Sequence, residues 1–409
     1  MKKKVLIIGF VWPEPRSSAA GSRMMQLISF FQSQDYKITF ASACAKSDNA
    51  FDLETINVKR ETIALNHSSF DDFIINLNPN LVLFDRFMTE EQFGWRVTEH
   101  CPNAIKILDT EDLHFLRRAR QRALKENAII SDDYLFSDTT KREIASIYRC
   151  DLSLIISTAE MSLLKKRFKI DDSLLLYLPF LIPDLSEEHI KILPTFDERQ
   201  HFITIGNFLH EPNYDALSYL KHTLWKEIKA KLPHAELHNY GAYASQKINQ
   251  LHNEREGFLI KGFAEDVDEV MGHAKVLLAP MRFGAGLKGK LFDAMKNGTP
   301  FVSTSIGVEG IIENKNQDFV CNTAEDFVTH AIALYQNVQL WDLQQTLGFK
   351  ILRTQFSKSD FEEKFEKCIN ELSQNLGIYR QQNFIGQMLQ HHTLQSTKYM
   401  SKWIEEKNS

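Results

Sequence analysis

This chain of 409 residues lacks long apolar runs, closely spaced cysteine pairs and a large excess of either charge. No stretch of 18 apolar residues occurs, so the sequence predicts no membrane span. The five cysteines never form a Cys-x-x-Cys pair, which favours reduced core thiols over a zinc site or a disulfide framework. The net charge of −5, from 48 basic and 53 acidic side chains, argues against a nucleic-acid partner.

The first residues begin like a secretion signal, with three lysines followed by the apolar run Val5–Phe10. That run is too short for a signal core, and Trp12-Pro-Glu-Pro follows it in place of a small-residue cleavage site. We therefore expect a cytoplasmic protein, and peripheral contact with the inner face of a membrane stays open.

What the chain does have is the composition of a folded globular protein, with 43 % hydrophobic residues, 25 % charged residues and 29 Phe. At roughly 150 residues per domain, its length predicts two or three domains. Short apolar runs alternate with helical patterns over residues 5–157 and again over 201–303. This alternation is typical of parallel strands joined by crossover helices.

A proline-bounded, charged stretch separates the two series of strands near residues 180–200, where we expect a hinge. The sequence therefore predicts an α/β protein with two Rossmann-like, doubly wound domains, over residues 1–190 and 196–360. Residues 371–409 have no strand pattern. We expect a helical tail there, which could cross back to the N-terminal domain.

The loop after the first strand ends in small residues, among them Ala20 and Gly21, at the start of a predicted helix. It lacks the G-x-G-x-x-G fingerprint of dinucleotide-binding proteins. Free amides and the helix dipole at such a position favour an anion. An anion site and a simple serine-capped loop both explain the pattern.

The most informative segment is residues 280–300, which join a strand to a helix. Gly284 and Gly286 allow the backbone to approach a ligand, and Lys288 and Lys290 add positive charge beside a helix N-terminus. This combination suits a diphosphate, because hydrogen bonds to charged groups contribute about 1.5–3 kcal/mol each. Asp293 lies about one turn further on, where its carboxylate could accept bonds from ribose hydroxyls.

At these residues the sequence resembles the group 1 glycosyltransferases, also called family 4, which have the GT-B fold of two Rossmann-like domains facing a cleft. Asp293 stands where the family usually has Glu, and the resemblance covers about residues 4–360. The positions that match the family pattern in this segment are Arg282, Gly284, Ala285, Gly286, Lys288, Lys290, Ala294, Met295, Gly298 and Pro300.

The resemblance implies a site for a nucleotide-diphosphate sugar on the C-terminal domain. The implied donor diphosphate-binding residues are Ala20, Gly21, Arg282, Gly284, Gly286, Leu287, Lys288 and Lys290. The implied nucleotide-binding residues are Gly206, Asn207, Tyr240, Gly241, Gly262, Phe263 and Asp293.

The resemblance implies catalytic roles for His114, Lys290 and Asp293, and His114 is similar to the histidine that the family places beside the donor sugar. The residues predicted for the acceptor side are Arg16, Asp85, Arg86 and Asp112. Several of them follow predicted strands, and the crevice of a doubly wound sheet lies at those strand ends. His114 could instead be a packing residue at a helix start, and Asp85 and Arg86 could form a local ion pair.

Two positions depart from the family pattern. Many members have a Glu-x7-Glu pair around the donor sugar, and here the first position is Ala285. Other members have a basic residue after the strand that ends near Gly206, where this chain has Asn207 and His210. The diphosphate charge would then rest mainly on Arg282 and the two lysines.

A basic run consists of Arg117, Arg118, Arg120, Arg122 and Lys125. Such a run is either a solvated helix face or a site for an anionic acceptor or acidic lipid headgroups.

The sequence thus predicts a glycosyltransferase of the hexosyltransferase type, without a metal or another cofactor. Its acceptor would be a glycan, a lipid-linked glycan, a protein or a small molecule. The resemblance implies retention of the anomeric configuration. A non-catalytic binding module of the same fold, which Ala285 would favour, and a nucleotide-sugar epimerase are the alternatives. The donor base, the sugar, the acceptor and the oligomeric state stay open.

Overall fold

The computed structural model describes residues 2–312 and 320–408. They form two parallel β-sheets in an α/β arrangement, which we call the first and the second half. The strands of the first half are β1 (Lys4–Gly9), β2 (Lys37–Ser42), β3 (Lys59–Thr62), β4 (Leu81–Asp85), β5 (Ile105–Asp109), β6 (Leu152–Ile155) and β7 (Leu175–Tyr177). The strands of the second half are β8 (Gln200–Ile205), β9 (Leu237–Tyr240), β10 (Phe258–Gly262), β11 (Ala274–Ala279) and β12 (Phe301–Ser303).

Both sheets are doubly wound, as the sequence predicted. The strand orders are β3-β2-β1-β4-β5-β6-β7 and β10-β9-β8-β11-β12, and every pairing is parallel. The order reverses beside β1 in one sheet and beside β8 in the other. Ligand crevices of open α/β sheets lie at the carboxyl ends of the strands next to such reversals.

Helices cover both faces of the sheets, so the central strands are buried on both sides; Val5–Ile8 are wholly inaccessible. The helices of the first half that connect its strands are α1 (Ala19–Ser33), α2 (Ser69–Leu77), α3 (Arg86–His100), α4 (His114–Lys125), α5 (Asp132–Leu135), α6 (Asp138–Arg149) and α7 (Thr158–Arg167). The following helices are α8 (Glu187–Lys191), α9 (Glu211–Tyr219), α10 (Trp225–Lys231), α11 (Gln246–Asn249), α12 (Val267–His273), α13 (Gly289–Lys296), α14 (Ser305–Val308), α15 (Ala324–Gln336) and α16 (Val338–Gln355). A π-helical turn, Leu220–Leu224, joins α9 to α10.

The two remaining helices, α17 (Lys358–Gln382) and α18 (Phe384–Asn408), form the helical tail and pack on the first half. The chain passes from the first half to the second near Ile182 and returns near Ser357. These two residues lie side by side and form a β-bridge. Phe365 of α17 is fully buried and stacks on Phe30 with ring centroids 4.6 Å apart. Within the described ranges, no helix is both long and apolar enough to cross a membrane.

Candidate active site between the two halves

The glycine loop, residues 280–288, leads from β11 into α13 and touches the first half directly. Gly284 and Gly286 have φ angles of 151° and 63°, which residues other than glycine rarely adopt. A Cβ added to Gly286 would lie 2.9 Å from the Cβ of Asp112. Glycine is therefore required here both for its conformation and for the close approach of the two halves.

The N-termini of α1 and α13 meet across the cleft. A Cβ added to Gly289, the first residue of α13, would lie 2.7 Å from the Cβ of Ala19, the first residue of α1. Gly21 fits tightly too, because its added Cβ would lie 2.4 Å from the carbonyl group of Glu14. The Gly21 amide is capped by the Ser18 Oγ at 3.0 Å. The positive ends of two helix dipoles thus lie close together, which favours an anion in this region.

Lys288 and Lys290 bring two positive charges to this region. The Lys288 Nζ donates to the carbonyl oxygens of Ala285 (3.1 Å) and Gly286 (2.7 Å), and the Lys290 Nζ donates to the Asn213 Oδ1 at 2.9 Å. Burial lowers the pKa of Lys288 to about 8, and burial together with the Lys288 charge lowers that of Lys290 to about 8. No ion pair of the described residues includes either lysine, although buried charges are normally paired.

Arg282 and Asp293 differ from the two lysines in the groups that they interact with. Arg282 is exposed; its Nε donates to the Asp215 Oδ2 at 2.9 Å, and its guanidinium lies 4.7 Å from the centre of the Tyr219 ring. Its charge is therefore already matched. Asp293 lies on α13, and burial, together with the charge of Asp268, raises the pKa of Asp293 to about 7.

The predicted nucleotide residues lie together at the ends of three strands. The Gly241 amide donates to the Gly262 carbonyl oxygen at 2.7 Å, and a Cβ at Gly241 would lie 2.1 Å from the Gly206 carbonyl oxygen. Tyr240 is half-buried at the end of β9. The Asn207 carbonyl oxygen accepts from the Asn213 Nδ2 at 3.0 Å. This contact links the nucleotide residues to Lys290.

Arg16 lies on this same side, although it was predicted for the acceptor side. Its Nη1 donates to the Glu265 Oε2 at 3.1 Å, and its guanidinium lies 5.7 Å from the centre of the Phe263 ring. Glu14 contacts the second half nearby and accepts a hydrogen bond from the Tyr243 hydroxyl at 2.8 Å. The loop after β1 thus reaches the predicted nucleotide site.

On the facing side, His114 and Asp112 lie after β5, where the sequence placed them. The His114 Nε2 is 3.4 Å from the Asp112 Oδ1, and the imidazole packs edge-on against Phe87. Burial lowers the pKa of His114 to about 3, so the imidazole is neutral at pH 7. His210 of the second half interacts electrostatically with Asp112 and both site lysines, so it also belongs to the cleft.

Asp85 and Arg86, at the junction of β4 and α3, form the local ion pair that the sequence left open as an alternative. The Arg86 Nη1 is 3.2 Å from the Asp85 Oδ2, which also accepts from the Phe10 amide at 2.9 Å. Burial raises the pKa of Asp85 although Arg86 opposes this shift. Both residues lie at the carboxyl edge of the first sheet.

Most members of the basic run on α4 have partners in the structure. Arg117 pairs with Asp112, Arg118 donates to Thr139, Arg120 pairs with Glu309, and Arg122 pairs with Glu126. Two of these pairs lie in the cleft. The run is therefore mainly a set of structural contacts and not an open basic face.

Four site residues were not predicted from the sequence, namely Glu160, Asn213, Arg120 and Glu309, and neither was Glu143, a structural residue of the first half. Glu143 is fully buried and accepts from the amides of His114 (3.1 Å) and Phe115 (3.0 Å), so it caps α4. Nothing in the local sequence marks these residues, because each acts on a segment distant along the chain. Among them, Glu160 alone follows the capping pattern S-x-x-E, with Ser157, but the same pattern occurs at Ser359 and Glu362 and so does not mark a site.

Two doubly wound sheets facing a cleft, with a glycine loop and helix N-termini at its centre, define the GT-B fold. Residues 199–337, about a third of the chain, match the family model described as glycosyl transferases, group 1. The match contains the glycine loop and the predicted nucleotide residues, and it confirms the resemblance seen in the sequence.

Solved glycosyltransferase structures share this fold. Sucrose-phosphate synthase from Thermosynechococcus elongatus is 12% identical with a TM-score of 0.67, over 91% of this chain and 99% of that chain. HepE from Anabaena, in complex with UDP and glucose, is 11% identical with a TM-score of 0.68, over 90% and 99%. At this level of identity, the likeness establishes the fold alone.

A third structure is considerably longer than this chain. A mutant of TarM from S. aureus, in complex with Fondaparinux, alpha-GlcNAc-glycerol and UDP, is 14% identical with a TM-score of 0.55. The match covers 73% of this chain, which spans only 58% of that TarM chain. Among curated proteins, no sequence matches this chain.

Proposed function

We propose that the protein transfers a sugar from a nucleotide-diphosphate donor to an acceptor held by the first half. The observation that carries this proposal is the pair Lys288 and Lys290. The Lys288 side chain is buried and that of Lys290 is partly buried beside the N-termini of α1 and α13, and neither lysine forms an ion pair with a described acid. A diphosphate would supply the missing negative charge.

The second half, with the predicted domain 196–360, would bind the donor. The glycine loop and the lysines would hold the diphosphate, and the strand ends at Gly206, Gly241 and Gly262 would hold the nucleoside, with Phe263 beside them. The first half, with the predicted domain 1–190, would present the acceptor from the edge that carries His114 and Asp112. This arrangement brings the two substrates together in the cleft.

The chemistry requires stabilisation of the leaving diphosphate, because its negative charge grows as the glycosidic bond breaks. Preorganised amides and the two lysines supply that stabilisation in a site shielded from water. The proposal includes retention of the anomeric configuration and the absence of a metal, both of which the family resemblance implies. His114 is neutral and beside Asp112, so it is suited to hydrogen-bond a sugar hydroxyl without adding charge.

A panel of nucleotides tests the proposal. UDP, GDP, ADP and their sugars are each added to the full chain, and unfolding is followed by heating. A ligand at 100 times its Kd stabilises the folded state by about 2.7 kcal/mol, which shifts the melting curve visibly. Uridine nucleotides are the first choice, because the structures of HepE and TarM contain UDP. The proposal is contradicted if none of these nucleotides shifts the melting curve.

Turnover separates the transferase from its alternatives. A transferase releases nucleoside diphosphate faster when an acceptor glycan is added. An epimerase converts the donor sugar with no acceptor present, and a binding module shows the melting shift but releases no nucleotide. Product sugar and free nucleotide are measured together by chromatography.

A further inference from the structure

Glu160, in the first turn of α7, joins the two halves of the protein at the glycine loop. Its Oε1 accepts from the Leu113 amide of the first half at 2.9 Å and from the Gly286 amide of the second half at 2.8 Å. The side chain is wholly buried. Among the described residues, no group donates to the other oxygen, Oε2, which is buried as well.

Such an oxygen is costly for the folded protein. A buried acceptor without a donor destabilises the fold by about 1–3 kcal/mol, and by more when it carries charge. Burial accordingly raises the pKa of Glu160 to about 7. Since Oε1 alone accepts from both amides, Oε2 takes no part in holding the two halves together.

Glu143 shows what a purely capping carboxylate looks like in this protein. It is equally buried, and each of its two oxygens accepts from one amide at the start of α4. Glu160 differs in two ways: it bonds to amides of both halves, and one of its oxygens is left over. Oε2 is thus an acceptor without a donor among the described residues, as expected of a group that accepts from a ligand.

The surroundings of Glu160 define the chemistry of that ligand. Gly286, to which Glu160 is bonded, follows Ala285, whose methyl group packs into the apolar cluster of the first half. Position 285 therefore offers no polar group to a ligand above the glycine loop. The negative charge of Asp112 acts on Glu160, so an anion is disfavoured beside Oε2 and a neutral O–H donor is favoured.

We propose that Oε2 of Glu160 accepts a hydrogen bond from a hydroxyl group of the donor sugar, and that Glu160 thereby determines which sugar is bound. This inference rests on the proposed function, because it places the sugar at the glycine loop, next to the diphosphate.

The test compares E160Q with E143Q. Glutamine at position 160 keeps one oxygen for the amides of Leu113 and Gly286 and puts an NH2 group where Oε2 accepted. E143Q removes an equally buried carboxylate that has no spare oxygen. The Kd values of UDP, GDP and ADP, and of their glucose, galactose, mannose and N-acetylglucosamine derivatives, are measured by calorimetry for wild type and both variants.

We expect the free nucleoside diphosphate to bind wild type and E160Q with Kd values within about twofold of each other. The tightest sugar nucleotide should lose about tenfold in affinity in E160Q, which corresponds to one charge-assisted hydrogen bond. E143Q should keep the sugar preference of the wild type. If E160Q melts below the assay temperature, E160D, which withdraws the carboxylate by one methylene, is measured instead.

Deoxy analogues of that sugar nucleotide distinguish contact from a structural effect. Wild type should lose about tenfold for the analogue that lacks the bonded hydroxyl, and E160Q should bind this analogue and its parent equally. Unchanged sugar preference in E160Q, or a wild type that binds sugar nucleotides no better than free diphosphates, overturns the inference. If no nucleotide binds the wild type at all, it is the proposed function that fails.

Discussion

Arg120 and Glu309 form a two-point ion pair across the cleft, with the Nη1 of Arg120 2.8 Å from Oε2 of Glu309 and the Nη2 2.6 Å from Oε1. The same guanidinium donates to the Gly284 carbonyl oxygen at 2.8 Å. One side chain of α4 therefore holds both the glycine loop and the segment after α14. Since both partners are largely buried, this pair is worth more than a surface ion pair.

Replacing Arg120 by Ala should shift the protein towards an open cleft. The half-buried Glu309 loses its partner and the glycine loop loses a contact, so transfer should fall by about tenfold or more, equivalent to about 1.4 kcal/mol. Small-angle scattering should show a larger radius of gyration. R122A is the matched control, because Arg122 lies on the same helix in an exposed pair with Glu126. Identical scattering from R120A and R122A contradicts this role.

Lys288→Ala and Lys290→Ala should each weaken the binding of nucleoside diphosphate. Loss of one charge-assisted hydrogen bond costs about 1.5–3 kcal/mol, so Kd should rise about 10- to 150-fold and transfer should fall with it. Lys367→Ala is the control, because Lys367 pairs with Glu371 on the exposed face of α17. Full turnover in both site variants would show that the diphosphate binds elsewhere.

Gly289→Ala should separate the two helix N-termini. Its added Cβ would lie 2.7 Å from that of Ala19, so the variant should bind nucleotide more weakly and melt at a lower temperature. The exchange Ala19→Gly with Gly289→Ala removes that clash and should restore most of both losses. Calorimetry and thermal unfolding of the three variants are the measurements. No recovery in the double variant means that the contact between these two methyl positions is not the cause.

Phe365→Ala should destabilise the whole protein by about 3–5 kcal/mol, because it empties a buried position between the tail and the core of the first half. Phe384→Ala, in the next helix, removes the same group from a side chain that is 66% exposed and should change stability by no more than about 0.5 kcal/mol. Urea unfolding measures both. Equal losses would mean that α17 is not part of the folded core.

The burial of Glu143 predicts a pH dependence. Burial raises its pKa from 4.5 to about 8, so between these values the folded state holds a proton that the unfolded state has released. The stability due to this proton is present at low pH and is lost as the pH rises towards about 8, by up to about 1.4 kcal/mol per pH unit.

Urea unfolding of wild type and E143Q between about pH 5 and pH 8 measures this effect. The stability advantage of the wild type over E143Q should shrink steadily as the pH rises. E363Q, at an exposed position of α17, should follow the wild type at every pH. A constant difference between wild type and E143Q would show that Glu143 is ionised throughout.

The sequence predicted the central strands because parallel strands buried on both faces consist of apolar runs such as Val5–Ile8. It did not predict β3, whose residues Lys59–Thr62 are polar and lie at the sheet edge, or β7, which has three residues. The residues of β3 are polar because this edge strand is largely uncovered, and β7 is apolar but too short to be recognised as a strand.

For the site, the sequence located the glycine loop and its lysines, because glycine and charge at a helix start are local features. Contacts between segments that are distant along the chain could not be predicted from the sequence. Arg120 belongs to a run that looks like a solvated helix face, and only the fold brings Glu309 to it. Glu160 looks like an ordinary capping residue, and its bond to Gly286 depends on how the halves meet.

The bridge between Ile182 and Ser357 has a mechanical consequence. The chain leaves the first half at one of these residues and returns at the other, and the Lys358 amide donates to the Ile182 carbonyl oxygen at 3.2 Å. Two bodies joined by two adjacent connections swing about the line through them and resist twisting. We therefore expect the cleft to open by rotation about the line through these two connections. This rotation would move the glycine loop away from the edge that carries His114, and its reversal would bring the same residues back into contact.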